Sequence, residues 1–201
     1  MRTYHVHTST GTAVSPDGPI LREGEMDKLH VGDLQLRGRR VLMRTDFNVP
    51  LAEGRVVDDT RIRAALPTIH HIIGQGGRLI LMSHLGRPKG KPVPEMSLGP
   101  CAPVLRALIG KDVAFAGECI GDKVEAKANQ LGEGEVLLLE NLRYHPGETE
   151  NDIDFAKKLA RMGDVYVNDA FGTAHRSHAS TVGVTRHIEQ CAAGDLMKKE
   201  L

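Results

Sequence analysis

The sequence predicts an α/β fold, a Rossmann-like, doubly wound parallel sheet flanked by helices and forming a single lobe. Three observations lead there. Short apolar runs recur along the chain, at Arg40–Arg44, Leu79–Met82, Val136–Leu139 and Val165–Val167. Between them lie segments whose apolar residues fall at helical spacing. Each run stops abruptly in a polar loop punctuated by Gly or Pro. Strands that are apolar throughout are buried on both faces, as in a sheet covered by helices on either side. Strand and helix alternating at this spacing make βαβ units with right-handed crossovers.

Taken in order, Met1–Glu25 is rich in Thr, Ser, Gly, Pro and His with no sustained period, and reads as an irregular extension. His5 and His7 belong to that extension and are not read as a metal site. From Met26 the pattern changes. The first strand, Arg40–Arg44, leads into the turn-like Asp46–Pro50. Ile62, Leu66, Ile69, Ile72 and Ile73 mark a helix over Arg61–Gly74, with Pro67 placing its regular start or a kink. Gly74, Gly76 and Gly77 close it as a C-cap. The strand Leu79–Met82 then opens into a loop that sets Arg87, Lys89 and Lys91 among Gly86, Pro88, Gly90 and Pro92.

Leu98–Ile109 reads as the next helix, closed by Gly110. Val113–Ala116 is a short strand, Asp122–Leu131 a polar helix, and Val136–Leu139 a buried strand. Asp152–Met162 is amphipathic through Ile153, Phe155, Ala156, Leu159 and Ala160. Val165–Val167 is the fifth and last strand expected. Past Thr185 the signal weakens, and Leu196–Leu201 reads as the beginning of a helix. The expected organisation is an extension over 1–25, a lobe over 26–185, and a tail with a helix start over 186–201.

Composition bounds the partners. In 201 residues, 40% are hydrophobic and 26% charged, enough for one α/β domain with a real core. Basic and acidic side chains balance at 26 each, so bulk charge supports neither nucleic acid nor membrane as a partner. Cys101, Cys119 and Cys191 are odd in number and in no metal spacing, which suits free thiols in a reducing, cytoplasmic setting. No apolar run approaches the ~20 residues of a membrane span. Residues 1 to 25 lack the apolar core of a secretory signal.

The informative pattern sits at the strand ends. In a parallel sheet the carboxyl ends share one edge, where ligands bind. To that edge the chain delivers Asp46 and Asn48, with Arg61 opening the following helix, then His84 and Arg87, then Arg143 and His145, then Asn168, Asp169, His175 and Arg176. Singly, each has a plainer reading: Arg caps helices, Asp and Asn form turns. Together they describe a cleft for a small, multiply anionic, hydroxylated ligand. Arginine's planar fork grips carboxylate and phosphate in two-point fashion, while Asp46 and Asn48 suit hydroxyl groups. A phosphorylated sugar acid fits.

Nucleotide motifs do not appear. Gly86–Lys91 is one residue short of a P-loop, and Pro92 stands where Ser or Thr should hold magnesium. Gly74–Gly77 closes a helix instead of opening one. Neither a metal constellation nor a nucleophile elbow is visible.

Four motifs resemble phosphoglycerate kinase: Val-Leu-Met-Arg-Thr-Asp-Phe-Asn-Val-Pro (41–50), Ser-His-Leu-Gly-Arg-Pro (83–88), Glu-Asn-Leu-Arg-Tyr-His (140–145) and Asn-Asp-Ala-Phe-Gly-Thr-Ala-His-Arg-Ser-His (168–178). The resemblance runs in order and spacing from Met26 to Val184. It implies the amino-terminal, phosphoglycerate-binding lobe of that family. Asp46, Asn48, Arg61, His84, Arg87, Arg143 and Arg176 would hold 3-phosphoglycerate or 1,3-bisphosphoglycerate. Arg61 would also neutralise the phosphoryl group in transit. The family's Mg-ATP or Mg-ADP belongs to a carboxy-terminal lobe, and these residues reach only to where the helix joining the lobes should begin. Thr45 replaces the family's usual Val, and Asp195 replaces an apolar aromatic. The expectation is substrate binding with little turnover by the lone lobe. The alternatives are a non-catalytic phosphometabolite-binding module or one half of a split kinase; a purely structural domain ranks last.

Overall fold

In the computed structural model, residues 29–173 and 176–200 are described. The expectations for Met1–Glu25, His5 and His7 among them, and for His175 fall outside the described residues.

Strand β1 (Arg40–Arg44) is followed by a small hairpin of β2 (Leu51–Ala52) and β3 (Arg55–Val56). Helices α1 (Thr60–Ala64) and α2 (Leu66–Gly74) come next. The helix expected over 61–74 is thus divided at Ala65, two residues before Pro67. The proline falls in the first turn of α2, where its missing N–H has no helical partner to lose. Then come β4 (Arg78–Met82), α3 (Cys101–Ile109), β5 (Val113–Phe115), α4 (Asp122–Gln130) and β6 (Val136–Leu138). Leu98, Gly99 and Pro100 form a turn leading into α3, because the Leu98 N–H is drawn to Glu140 Oε1 at 2.8 Å. A short α5 (Pro146–Glu150) precedes α6 (Ile153–Ala160), whose N-cap Asp152 accepts the Phe155 N–H at 2.7 Å. The chain ends through β7 (Val165–Asn168), β8 (Cys191–Ala193) and α7 (Asp195–Glu200).

The main sheet is parallel in every pairing, in the order β5-β6-β4-β1-β7-β8. It has six strands where five were expected. The sixth, β8, is three small residues without a periodic signature; its pairing to β7, Tyr166 with Cys191 through Asn168 with Ala193, makes it a strand. Alternate residues feed two cores. Val41, Met43, Leu79, Leu81 and Val167 pack under α1, α2 and α3. Leu42, Ile80, Met82, Leu137 and Tyr166 pack under α4 and α6. The continuous apolar runs follow from this double burial. Fully burying one such side chain contributes roughly 1.5–3 kcal/mol, so both faces are strongly held. The carboxyl ends of β4, β1 and β7 therefore lie side by side at one edge.

Candidate functional site

At that edge the loops are stitched by main-chain groups. The Phe47 N–H donates to Ser83 Oγ at 2.8 Å, and the Gly86 N–H donates to Asn48 Oδ1 at 2.8 Å. The loop after β1 is thereby pinned to the loop after β4. Asn48 in turn donates its own N–H to Asp46 Oδ1 at 3.3 Å. The other Asp46 oxygen pairs with the guanidinium of Arg61, in the first turn of α1.

Beside this lies a cleft of about 350 Å³ lined by Arg87, Lys89, Arg143, Arg176 and His178, with Thr149 and Glu150 at its wall. Three loops, after β4, β6 and β7, bring the arginines together. Arg143 is largely buried, and its Nη1 donates to the Gly86 carbonyl at 2.8 Å. Its Nε is buried without a protein partner. Burial, and then the neighbouring charges of Arg176 and Arg44, hold its pKa below the ordinary arginine value. So many cations converging on one hollow are mutually unfavourable until an anion enters. His84 reports the same field. Burial first, then Arg44, Arg143 and Arg176, push its pKa down to about 2. It is neutral, and its Nδ1 accepts from Arg44 Nη2 at 3.0 Å, which leaves the ring proton on Nε2.

Behind the cleft is a buried network that the sequence reading missed. Arg44, the last residue of β1, is wholly buried. Its Nε donates to Ser180 Oγ at 2.9 Å, and Nη1 donates to the Thr45 carbonyl. Ser180 donates through N and Oγ to Glu148, at 3.0 and 2.7 Å. His178 Nδ1 stands 3.6 Å from Glu148 Oε1, too long for a full hydrogen bond. Burial would raise the Glu148 carboxyl, but His178, Arg44 and Ser180 outweigh it and hold the pKa below the ordinary value. The available signal was the second arginine of Arg40–Arg44, set at the end of an apolar run where a charge requires a buried partner.

Of the residues expected at the edge, Arg87, Arg143 and Arg176 share the cleft, with His84 in the field of Arg143 and Arg176. Asp46 and Arg61 line an adjoining hollow of about 270 Å³ with Phe171 and Gly172. Two others turn elsewhere, and Asp169, which lines that same hollow, is committed to α7. Asn168 accepts the Ala170 N–H at 3.1 Å. Asp169 is buried and accepts the Leu196 N–H at 2.9 Å, anchoring the start of α7. Asp195 does not undo that docking; its N–H donates to Thr68 Oγ1 at 2.8 Å. His145 points away from the arginines and pairs with Glu118 at 2.7 Å. In the loop Gly86–Lys91 the Gly86 N–H is spent on Asn48, the Gly90 N–H on the Arg143 carbonyl at 3.2 Å, and Pro88 has none.

The described residues thus form a parallel α/β lobe whose carboxyl edge gathers arginines round one hollow. The chain belongs to the phosphoglycerate kinase family, whose family model, phosphoglycerate kinase, matches residues 31–201. The phosphoglycerate kinase of Chloroherpeton thalassium is 58% identical over 176 residues, 88% of this chain and 44% of that protein. That of Moorella thermoacetica is likewise 58% identical over 176 residues. The solved phosphoglycerate kinase of Coxiella burnetii superposes with a TM-score of 0.78 at 39% identity, over 86% of this chain and 43% of that one. The chain spans less than half the length of the relatives it matches.

Proposed function

We propose that this chain is the phosphoglycerate-holding lobe of a phosphoglycerate kinase, over residues 26–185, with α7 beginning the connection to a nucleotide-binding lobe. The observation that carries the reading is the convergence of Arg87, Arg143 and Arg176 on one cleft backed by buried Arg44. The ligand would be 3-phosphoglycerate or 1,3-bisphosphoglycerate. Arginine forks bind its phosphate and carboxylate, and Asp46 and Asn48 orient its hydroxyl. Arg61, half exposed beside Asp46, would stabilise charge on the phosphoryl group in transit.

Mg-ATP or Mg-ADP would supply or accept that group from the other lobe. Phosphoryl transfer rests on positioning and charge stabilisation. One lobe supplies half of each, so the 201-residue chain alone binds its ligand with little or no turnover. A reducing, cytosolic setting belongs to the proposal; the described cysteines are all free thiols. Among the described residues no helix is long and apolar enough to cross a membrane.

Calorimetric titration of 3-phosphoglycerate at low salt tests this. Saturable heat is expected from the natural chain and none from an Arg61→Ala, Arg176→Ala double variant. A folded natural chain that takes up no ligand overturns the reading. Robust ATP-dependent phosphorylation by the 201 residues alone overturns the clause on turnover.

A further inference from the structure

A second cluster of side chains lies at the same sheet edge and plays no part in anion binding. The loops after β5 and β6 bring Glu118, Cys119 and His145 together, with one donor atom of each within 4.8 Å of the others. Their distance in sequence hid this from a search for metal spacing. Arg143 turns into the arginine cleft, and His145, two residues on, turns outward to Glu118. We propose that Glu118, Cys119 and His145 form a site for a thiophilic divalent cation of the zinc type.

The donor set is the first reason. Thiolate, imidazole and carboxylate are the ligands zinc takes, and three protein donors with a fourth, open position is a common arrangement. Geometry is the second. A tetrahedral ion with bonds of about 2.0–2.3 Å holds its donors about 3.3–3.6 Å apart. The pairs here must therefore adjust by about 1 Å, the His145–Glu118 contact opening and the longer separations closing.

The surroundings are the third. The cluster borders an open hollow of about 440 Å³, shared by Glu118, Glu140, Tyr144 and His145, through which an ion and a water can enter. Glu140 is no ligand, since its carboxylate is spent on Ser97 Oγ at 2.7 Å, Leu98 N at 2.8 Å and Asn141 N at 2.7 Å.

The ligands are held before any ion arrives. The Cys119 N–H donates to Glu118 Oε1 at 2.7 Å, and the His145 ring lies against Phe155 at 5.0 Å between centroids. On binding, the thiol proton, now directed at the Glu140 carbonyl at 2.9 Å, leaves to solvent as the metal–sulfur bond forms. The imidazole presents a lone pair in place of its contact to Glu118.

The test is titration of the full chain with Co²⁺ alone, in a His5→Ala, His7→Ala background that removes the other histidine pair. One equivalent should produce a thiolate-to-cobalt charge-transfer band that Zn²⁺ abolishes by displacement. Cys119→Ala should remove the band, while Cys101→Ala and Cys191→Ala leave it. Glu118→Gln and His145→Gln should each weaken binding by at least about tenfold. Absence of the band in the folded chain, or its survival in Cys119→Ala, overturns the site. Should Cys119→Ala fail to fold, the partly exposed His145→Gln decides, and an unchanged affinity there overturns it equally.

Discussion

The two edges of the central sheet both carry hollows, and the roomier one is at the edge away from Arg87, Arg143 and Arg176. At the amino ends of β5 and β6 a hollow of about 850 Å³ is lined by Arg106, Lys111, Asp112, Glu133 and Glu135. At the carboxyl edge the cleft of Arg87, Arg143 and Arg176 measures about 350 Å³. Charges at the amino edge cancel locally, as where Arg106 meets Asp112 at 2.9 Å. At the carboxyl edge the cations come from three separate loops and point inward together. Strand direction, which sends every βα loop to one edge, accounts for the difference in lining; size does not.

The sharpest way to break this contrast is to remove the charge beneath the carboxyl-edge cleft. Arg44→Met should cost about 3–5 kcal/mol, because it strands buried Glu148 without its counter-charge. A urea unfolding midpoint checks this, and adding Glu148→Met should restore much of the loss. An Arg44→Met chain as stable as the natural one would mean that the network behind the cleft is incidental.

Lowering the pH should act at the same edge more gently. The folded His84 stays neutral down to about pH 2, whereas an unfolded histidine takes up a proton near its ordinary 6.5. Below that value the unfolded chain binds the extra proton, so stability present at neutral pH is lost as pH falls. The loss from this residue is roughly 2 kcal/mol by pH 5. Unfolding curves at the two pH values should be closer together for His84→Asn than for the natural chain; equal spacing would show that the ring is not held neutral.

The smallest effect belongs to the amino edge. Arg106→Ala removes an exposed ion pair and should change stability by about 0.5 kcal/mol or less. It should leave 3-phosphoglycerate titration unaltered. A loss of binding there would move the site to the other edge.

Much of the molecule was legible in order along the chain. Arg40–Arg44 is the strand expected, and Pro67 marked the break that the structure places at Ala65. These features rest on interactions within a few residues: helical spacing, double-faced apolar runs, Gly and Pro at the ends. β8 was illegible for the converse reason. Cys191–Ala193 carries no pattern of its own and is a strand only because β7 offers it a free edge. The same division runs through the site. The arginines were named from their places after strands, yet which of them share a cleft was not readable there. Arg143 and His145 follow the same strand and face different hollows. Asp169, placed at that edge by its position after β7, lines the hollow of Asp46 and Arg61 and also anchors α7.

By itself, then, the sequence determined the class of fold, the edge where chemistry could gather and the family the motifs resemble, since periodicity and chain order are written locally. Only the tertiary structure decided what lay beneath and beside that edge. Arg44 meets Ser180, and Cys119 meets His145, across long stretches of chain. Contacts of that kind depend on how strands are ordered in the sheet, which no local pattern encodes.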